Sequence, residues 1–256
     1  MPSVLSPDDV ESFVRDGFVR IPGAFSRHTA EEGCALLWQE MGLSPDDPAG
    51  WTDAVVRLTG SGAPPFARAA AADRLHAAFD QLVGPGRWIP RTGLGTFPIR
   101  FPVLPDPDDT GWHCDGSFGG WPFRLNVRSR DRALLMLFLF SDVGEEDAPT
   151  RIRVGSHLDV PRLLAPSGDD GMTFLELGPL LEATATRPVV TATGAAGDVF
   201  LCHPFLVHAA QAHHGVQPRF LAQPPLAPVG PLEIDMPGHA YSPVERAIRL
   251  GLGLES

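Results

Sequence analysis

From about residue 86 the sequence becomes a succession of short β-type runs cut by glycine and proline, and this texture constrains the fold more than anything else in the chain. "GTFPIRFP", "TGWHCD", "PFRLNVR", "ALLMLFLFSDV", "TRIRVG", "RPVVTAT", "DVFLCHP", "FLVHAA" and "RFLAQPPL" follow one another. Many short strands with turn signals between them predict a sandwich or barrel, not alternating βαβ units. Helical pieces near 159–165 and 172–183 interrupt the series. The apolar run 133–140 is far too short to span a bilayer and reads as a strand buried on both faces.

The first third reads helical. Ser6 is the expected N-cap of a helix with Pro7 at its first position and Gly17 as its stop, and "FVRIPG" is a short strand. Residues 26–42 and 65–84 carry apolar residues at helical spacing and end at glycine. Ser242, Pro243 and Glu245 open a last helix with a capping box. No repeat or linker divides the chain. The expectation is a single domain over 1–256, with a helical region over about 1–85, a β core over about 86–228 and a C-terminal cap over 229–256.

Composition removes several function classes. All 20 basic residues are arginine, so no lysine is present for a Schiff base or a Walker-type phosphate loop. Neither G-x-S-x-G nor G-x-G-x-x-G occurs. A net charge of −11 disfavours broad contact with nucleic acid or an anionic membrane. Three cysteines without a C-x-x-C pair, and an N-terminus with no apolar h-region, point to a reducing, cytoplasmic setting.

The chemistry concentrates in "GWHCDGSF". Side chains alternate along a strand, so His113 and Asp115 share one face and Cys114 takes the other. The motif alone is weak. With 9 His and 20 Asp in 256 residues, chance alone supplies about 0.7 such triplets, and a second copy stands at His157 and Asp159. There Asp159 precedes "VPRLL" and reads as a helix cap, with His157 structural. A non-haem iron site needs two histidines and one carboxylate on one face of the metal. Of the remaining histidines His208 stands out as the candidate third ligand: it lies 95 residues after His113 (208 − 113) and is delivered by a short apolar run. Arg219 follows after a turn around Gly215. 2-Oxoglutarate chelates iron with its keto oxygen and one carboxylate, and a planar, permanently charged arginine suits its far carboxylate.

"WHCD", the spacing to "VHAA" and the following "PRF" resemble the phytanoyl-CoA dioxygenase family of Fe(II)/2-oxoglutarate-dependent oxygenases, as does "SDVGEEDAPTRIRVGSH". The similarity runs over about residues 90–225. It implies a mostly β protein with flanking helices and a double-stranded β-helix (jelly-roll, cupin-like) core. It also implies Fe(II) on His113, Asp115 and His208, 2-oxoglutarate oriented by Arg219, and O2 as the second cosubstrate. The chain departs from the family where Ala210 and Leu221 replace common hydroxyl residues and where no upstream lysine exists, so other donors must serve the cosubstrate; Thr96 and Thr150 are candidates. Asp115 stands where related halogenases carry a small residue, which favours hydroxylation or another oxidation.

Trp112, Phe118 and Trp121 are as a group candidates for an apolar substrate wall, against the simpler reading of each one alone as core. Arg128, in "RLNVRSRDR", is a candidate grip for a substrate anion against the simpler reading of a solvated strand face. His213 and His214 read as solvated. The expected partner is a small organic substrate whose identity, like the oligomeric state, is not encoded legibly. Two other readings stay open: a cupin-like metal oxygenase or isomerase that does not use 2-oxoglutarate, and a non-catalytic β-barrel binding protein.

Overall fold

The computed structural model describes residues 3–105, 107–236 and 238–254. Helix α1 (Pro7–Asp16) starts at Ser6, whose hydroxyl accepts from the Asp9 N–H while the Asp9 carboxylate answers the Ser6 N–H. Gly17 ends it at φ 91°, a left-handed conformation that glycine adopts without steric cost. Strand β1 (Phe18–Ile21), helix α2 (Arg27–Met41), strand β2 (Val55–Leu58) and helices α3 (Pro64–Ala70) and α4 (Asp73–Leu82) follow. The single helix expected over 65–84 is thus two. Ala72 is extended (ψ 126°), because Phe66 packs on Phe97 and Phe140 whereas Phe79 packs on Trp88. One straight helix cannot aim both apolar faces at their partners.

The β region contains β3 (Phe97–Arg100), β4 (Arg124–Leu125), β5 (Leu134–Leu139) and β6 (Arg151–Arg153). After them come α5 (Val160–Leu164), β7 (Met172–Thr173), α6 (Phe174–Leu180), β8 (Val189–Thr191), β9 (Val199–Cys202), β10 (His208–Ala209), β11 (Leu221–Ala222), β12 (Pro225–Leu226) and α7 (Pro243–Leu252). The larger sheet runs β1-β9-β5-β11, with β12 also on β5; a second runs β10-β6-β8; β2 pairs with β3 and β4 with β7, all antiparallel. The N-terminal region therefore contributes a strand to the larger sheet as well as helices.

Strand β5 is buried at all six positions, which explains its continuous apolar run. Leu134, Met136 and Phe138 face a large core shared with the helices, through Phe13, Phe25 and Phe66. Leu135, Leu137 and Leu139 face a smaller core containing Ile152 of β6, Phe200 of β9 and Leu221 of β11. That smaller core holds the two main sheets together. Among the described residues no helix is long and apolar enough to cross a membrane.

Candidate metal centre

His113 and His208 form an antiparallel bridge in which each N–H donates to the other's carbonyl at 3.0 Å. Residues opposed in this way project to the same face, and their rings lie 4.4 Å apart between centroids. Asp115, two residues on, adds its carboxylate to that face. The ligand atoms of His113, Asp115 and His208 all lie within 4.8 Å of one another.

Each imidazole is oriented by its own backbone. Nδ1 of His113 lies 2.8 Å from the Gly111 carbonyl, and Nδ1 of His208 lies 3.0 Å from the Leu206 carbonyl. A carbonyl can only accept, so each ring donates from Nδ1 and turns Nε2 toward the shared face. These Nε2 atoms face Asp115 Oδ1 at 3.8 Å and 3.9 Å. Burial, with His113 beside it, pushes His208 down to about 4, so the ring is neutral near pH 7. Burial pushes the Asp115 carboxyl up, but Arg132, His208 and His113 outweigh it and hold the group below its ordinary value. Two imidazoles and a carboxylate are a donor set suited to Fe(II).

Two cavities meet at His113. The first, of about 480 Å³, is lined by Arg100, Trp112, Thr150, His208, Ala210 and Arg219. Arg219 comes from the opposite sheet, bridged to Arg100 immediately before β11. Its guanidinium, 3% exposed, donates to the carbonyls of Ala148 and Pro98. Burial and the neighbouring Arg100 pull it down to about 9, still charged at neutral pH. The Nε atoms of Arg219 and Arg100 and Oδ1 of Asp109 are buried with no hydrogen-bond partner among the described residues. Thr150 lines this cavity; Thr96 lines the second one instead.

The second cavity, of about 840 Å³, is lined by Asp115, Phe118, Trp121, Phe123, Arg132 and Phe174. Phe118 and Trp121 therefore stand in its wall, with Trp121 75% exposed at the rim. Trp112 is in the first cavity, under the guanidiniums of Arg151 and Arg153 at 4.9 Å and 4.4 Å from its ring. Arg128 corrects an expectation. It lines neither cavity, because its guanidinium is held by Asp235 at 2.8 Å and Glu233 at 3.6 Å.

Other readings also change. His213 is buried, with Nδ1 accepting from the Gly215 N–H, so it is not solvated. Asp159 occupies the cap position of α5 but makes no side-chain cap bond, its carboxylate being taken by Arg187. His157 is structural, fully buried against the Val14 carbonyl. Sequence reasoning missed Arg100, Asp109, Arg132, Phe174 and Gln223. Arg100 offered one signal, a charged residue inside the apolar run "FPIRF".

A profile of the phytanoyl-CoA dioxygenase (PhyH) family matches residues 13–221. Among curated proteins, none matches this sequence. HygX from Streptomyces hygroscopicus, solved with nickel and 2-oxoglutarate bound, is 21% identical over 90% of this chain and 88% of its own, with a TM-score of 0.58. EctD from S. alaskensis, solved in its apoform, is 22% identical over 88% and 77%, with a TM-score of 0.56. SnoN, a non-haem 2-oxoglutarate-dependent epimerase from nogalamycin biosynthesis, is 20% identical over 92% and 91%, with a TM-score of 0.55. These likenesses establish a shared fold.

Proposed function

The chain belongs to the phytanoyl-CoA dioxygenase family of Fe(II)/2-oxoglutarate-dependent oxygenases, and we propose that it hydroxylates an unactivated C–H bond of a small organic molecule while 2-oxoglutarate is converted to succinate. The core is read as a double-stranded β-helix over about residues 86–228 of a single domain. His113, Asp115 and His208 hold the iron. When bound, the iron supplies the oxidising chemistry, drawing on O2 and 2-oxoglutarate.

The observation that carries this reading is the convergence of three ligand atoms within 4.8 Å beside a cavity that contains a buried arginine with no acidic partner of its own among the described residues. The residues fit the cosubstrate as well as the metal. Arg219 is the partner for the distal carboxylate, and the unpaired Nε atoms of Arg219 and Arg100 offer two further donors. With Ala210 in place of a hydroxyl residue, Arg100 and Thr150 are the nearest polar replacements, and both line the same cavity. Thr96 lies in the second cavity and is better placed toward the substrate. Phe118, Trp121, Phe123 and Phe174 form an apolar wall beside the metal face. HygX has been solved with hygromycin B bound, which supports a small organic substrate.

Anaerobic addition of Fe(II) and 2-oxoglutarate tests the assignment. The expected result is a weak visible charge-transfer band, followed on admitting air by succinate release that a true substrate stimulates. Iron binding without the band would favour a metal enzyme that does not use 2-oxoglutarate. Failure to bind iron would end the enzymatic reading.

A further inference from the structure

Asp115 offers its two oxygens to two different neighbourhoods. Oδ1 faces the imidazoles, at 3.8 Å from His113 Nε2 and 3.9 Å from His208 Nε2. Oδ2 accepts from Arg132 Nη1 at 2.9 Å. The Arg132 side chain is only 12% exposed, and its second terminal nitrogen donates to the Gly116 carbonyl at 3.3 Å. Its Nε is buried without a partner among the described residues. No other acid pairs with Arg132 among the described residues.

The arginine itself is anchored. Its N–H donates to the Ser129 carbonyl at 3.1 Å, and its carbonyl accepts from the Ser129 hydroxyl at 2.7 Å. The next residue, Ala133, is bonded to Leu226 and leads into the fully buried strand β5. Arg132, which holds the Asp115 carboxylate, is thus fixed at the turn that leads into the fully buried strand β5 of the larger sheet.

We propose that Arg132 is a positioning residue for the metal centre, holding Asp115 Oδ2 so that Oδ1 alone is available as a ligand. This rests on the metal reading above and extends it. A carboxylate free to rotate can chelate with both oxygens, and the second would occupy a position that 2-oxoglutarate or O2 requires. The guanidinium blocks that rotation by bonding Oδ2 and the neighbouring carbonyl in one planar fork. The same fork closes the base of the segment 116–131, which brings Phe118, Trp121 and Phe123 to the second cavity. Asp115 and the substrate wall therefore share one anchor.

Titration of the metal-free protein with Co(II) tests this without turnover, since Co(II) affinity and the intensity of its d–d absorption report ligand number and geometry. Relative to wild type, R132Q is expected to weaken Co(II) at least about tenfold and to change the d–d intensity, with R132K between the two because an ammonium cannot span both acceptors. In a D115A background, R132Q should add no further loss, because Arg132 acts through Asp115. R132Q binding within about twofold of wild type, or an equal loss in the D115A background, would overturn the proposal. Should R132Q not fold, R132K alone decides, and wild-type affinity and spectrum in R132K would overturn it. A wild-type protein that bound no Co(II) would remove the metal reading itself, and this inference with it.

Discussion

Arg100 and Arg219 stand directly opposite one another in an antiparallel bridge, with Arg100 N–H donating at 3.1 Å and Arg219 N–H at 2.8 Å. Both side chains are almost wholly buried and emerge on the same face. Two buried like charges so placed repel unless anions separate them. Asp109 serves Arg100 at 2.6 Å and also takes Arg57, whereas among the described residues Arg219 bonds only carbonyls. An incoming dicarboxylate completes the balance. R219M should therefore weaken 2-oxoglutarate by about 100-fold, the value of roughly 3 kcal/mol for a lost charge-assisted contact, with R219K recovering part. Titrating the charge-transfer band with 2-oxoglutarate measures it, and an unchanged midpoint would refute the role.

His208 is the ligand candidate most deeply seated in the fold, 4% exposed and held by ladder bonds to His113. H208A should reduce Fe(II) affinity by more than about 100-fold, beyond the range typical of substitutions around a site. D115N keeps the shape of the side chain but removes its charge, and should also lose iron, with Arg132 left unpaired. Metal content after anaerobic loading and desalting distinguishes these outcomes. Full iron loading of H208A would exclude the residue as a ligand.

The parts of the site that follow local rules were legible in the sequence. The His-x-Asp spacing put His113 and Asp115 on one face, although the segment is held by an isolated bridge and not by a strand, and the chain reversal near Gly215 brought Arg219 back toward the site. Buried and nearly buried charges outside the motif, Arg100 and Arg132 among them, were not legible, because charge in a β-type run normally reads as solvated. Arg132 and Arg128 occur in the same arginine-rich run, "RLNVRSRDR", yet one reaches Asp115 and the other reaches Asp235. No periodicity separates them, since the distinction lies in which distant carboxylate the fold delivers. Strand β2 was hidden for the same reason. "VVRL" is short, and only its pairing with β3 makes it a strand.

Acid should destabilise the protein through two buried histidines away from the metal. His157 and His203 stack at 4.8 Å between centroids, with Nε2 atoms on the carbonyls of Val14 and Val244. Burial pushes His157 down to about 4 and His203 well below its ordinary value; Arg187 opposes protonation of His157 while Asp159 and Asp16 favour it. Both folded values lie below the unfolded value near 6.5, so between these limits the unfolded chain binds more protons and stability falls as pH falls. For His157 the loss begins near pH 6.5, is complete near 4 and totals about 3 kcal/mol. H157Q, whose amide can still donate to Val14, should flatten the slope of unfolding free energy between pH 6.5 and 5 by about 1.4 kcal/mol per pH unit. Urea midpoints across that range test it, and parallel curves for the two proteins would count against it.

Leu137 connects stability to the site. It is 1% exposed in the smaller core, which also contains Ile152, the residue registered opposite His208, and Leu221, two residues after Arg219. The metal candidates and the arginine therefore reach the cavity from two sheets whose spacing this core sets. L137A removes packing from between them, and should cost about 3 kcal/mol through lost burial and the void left behind. L137M, which conserves volume, should cost less than about 1.5 kcal/mol. W121A, at a side chain 75% exposed, should change stability by less than about 0.5 kcal/mol. If the sheet spacing matters to the site, L137A will also weaken 2-oxoglutarate while W121A leaves its affinity unchanged. Chemical denaturation gives the first comparison and the charge-transfer titration the second. An L137A protein as stable as wild type would mean that the two sheets are held together elsewhere.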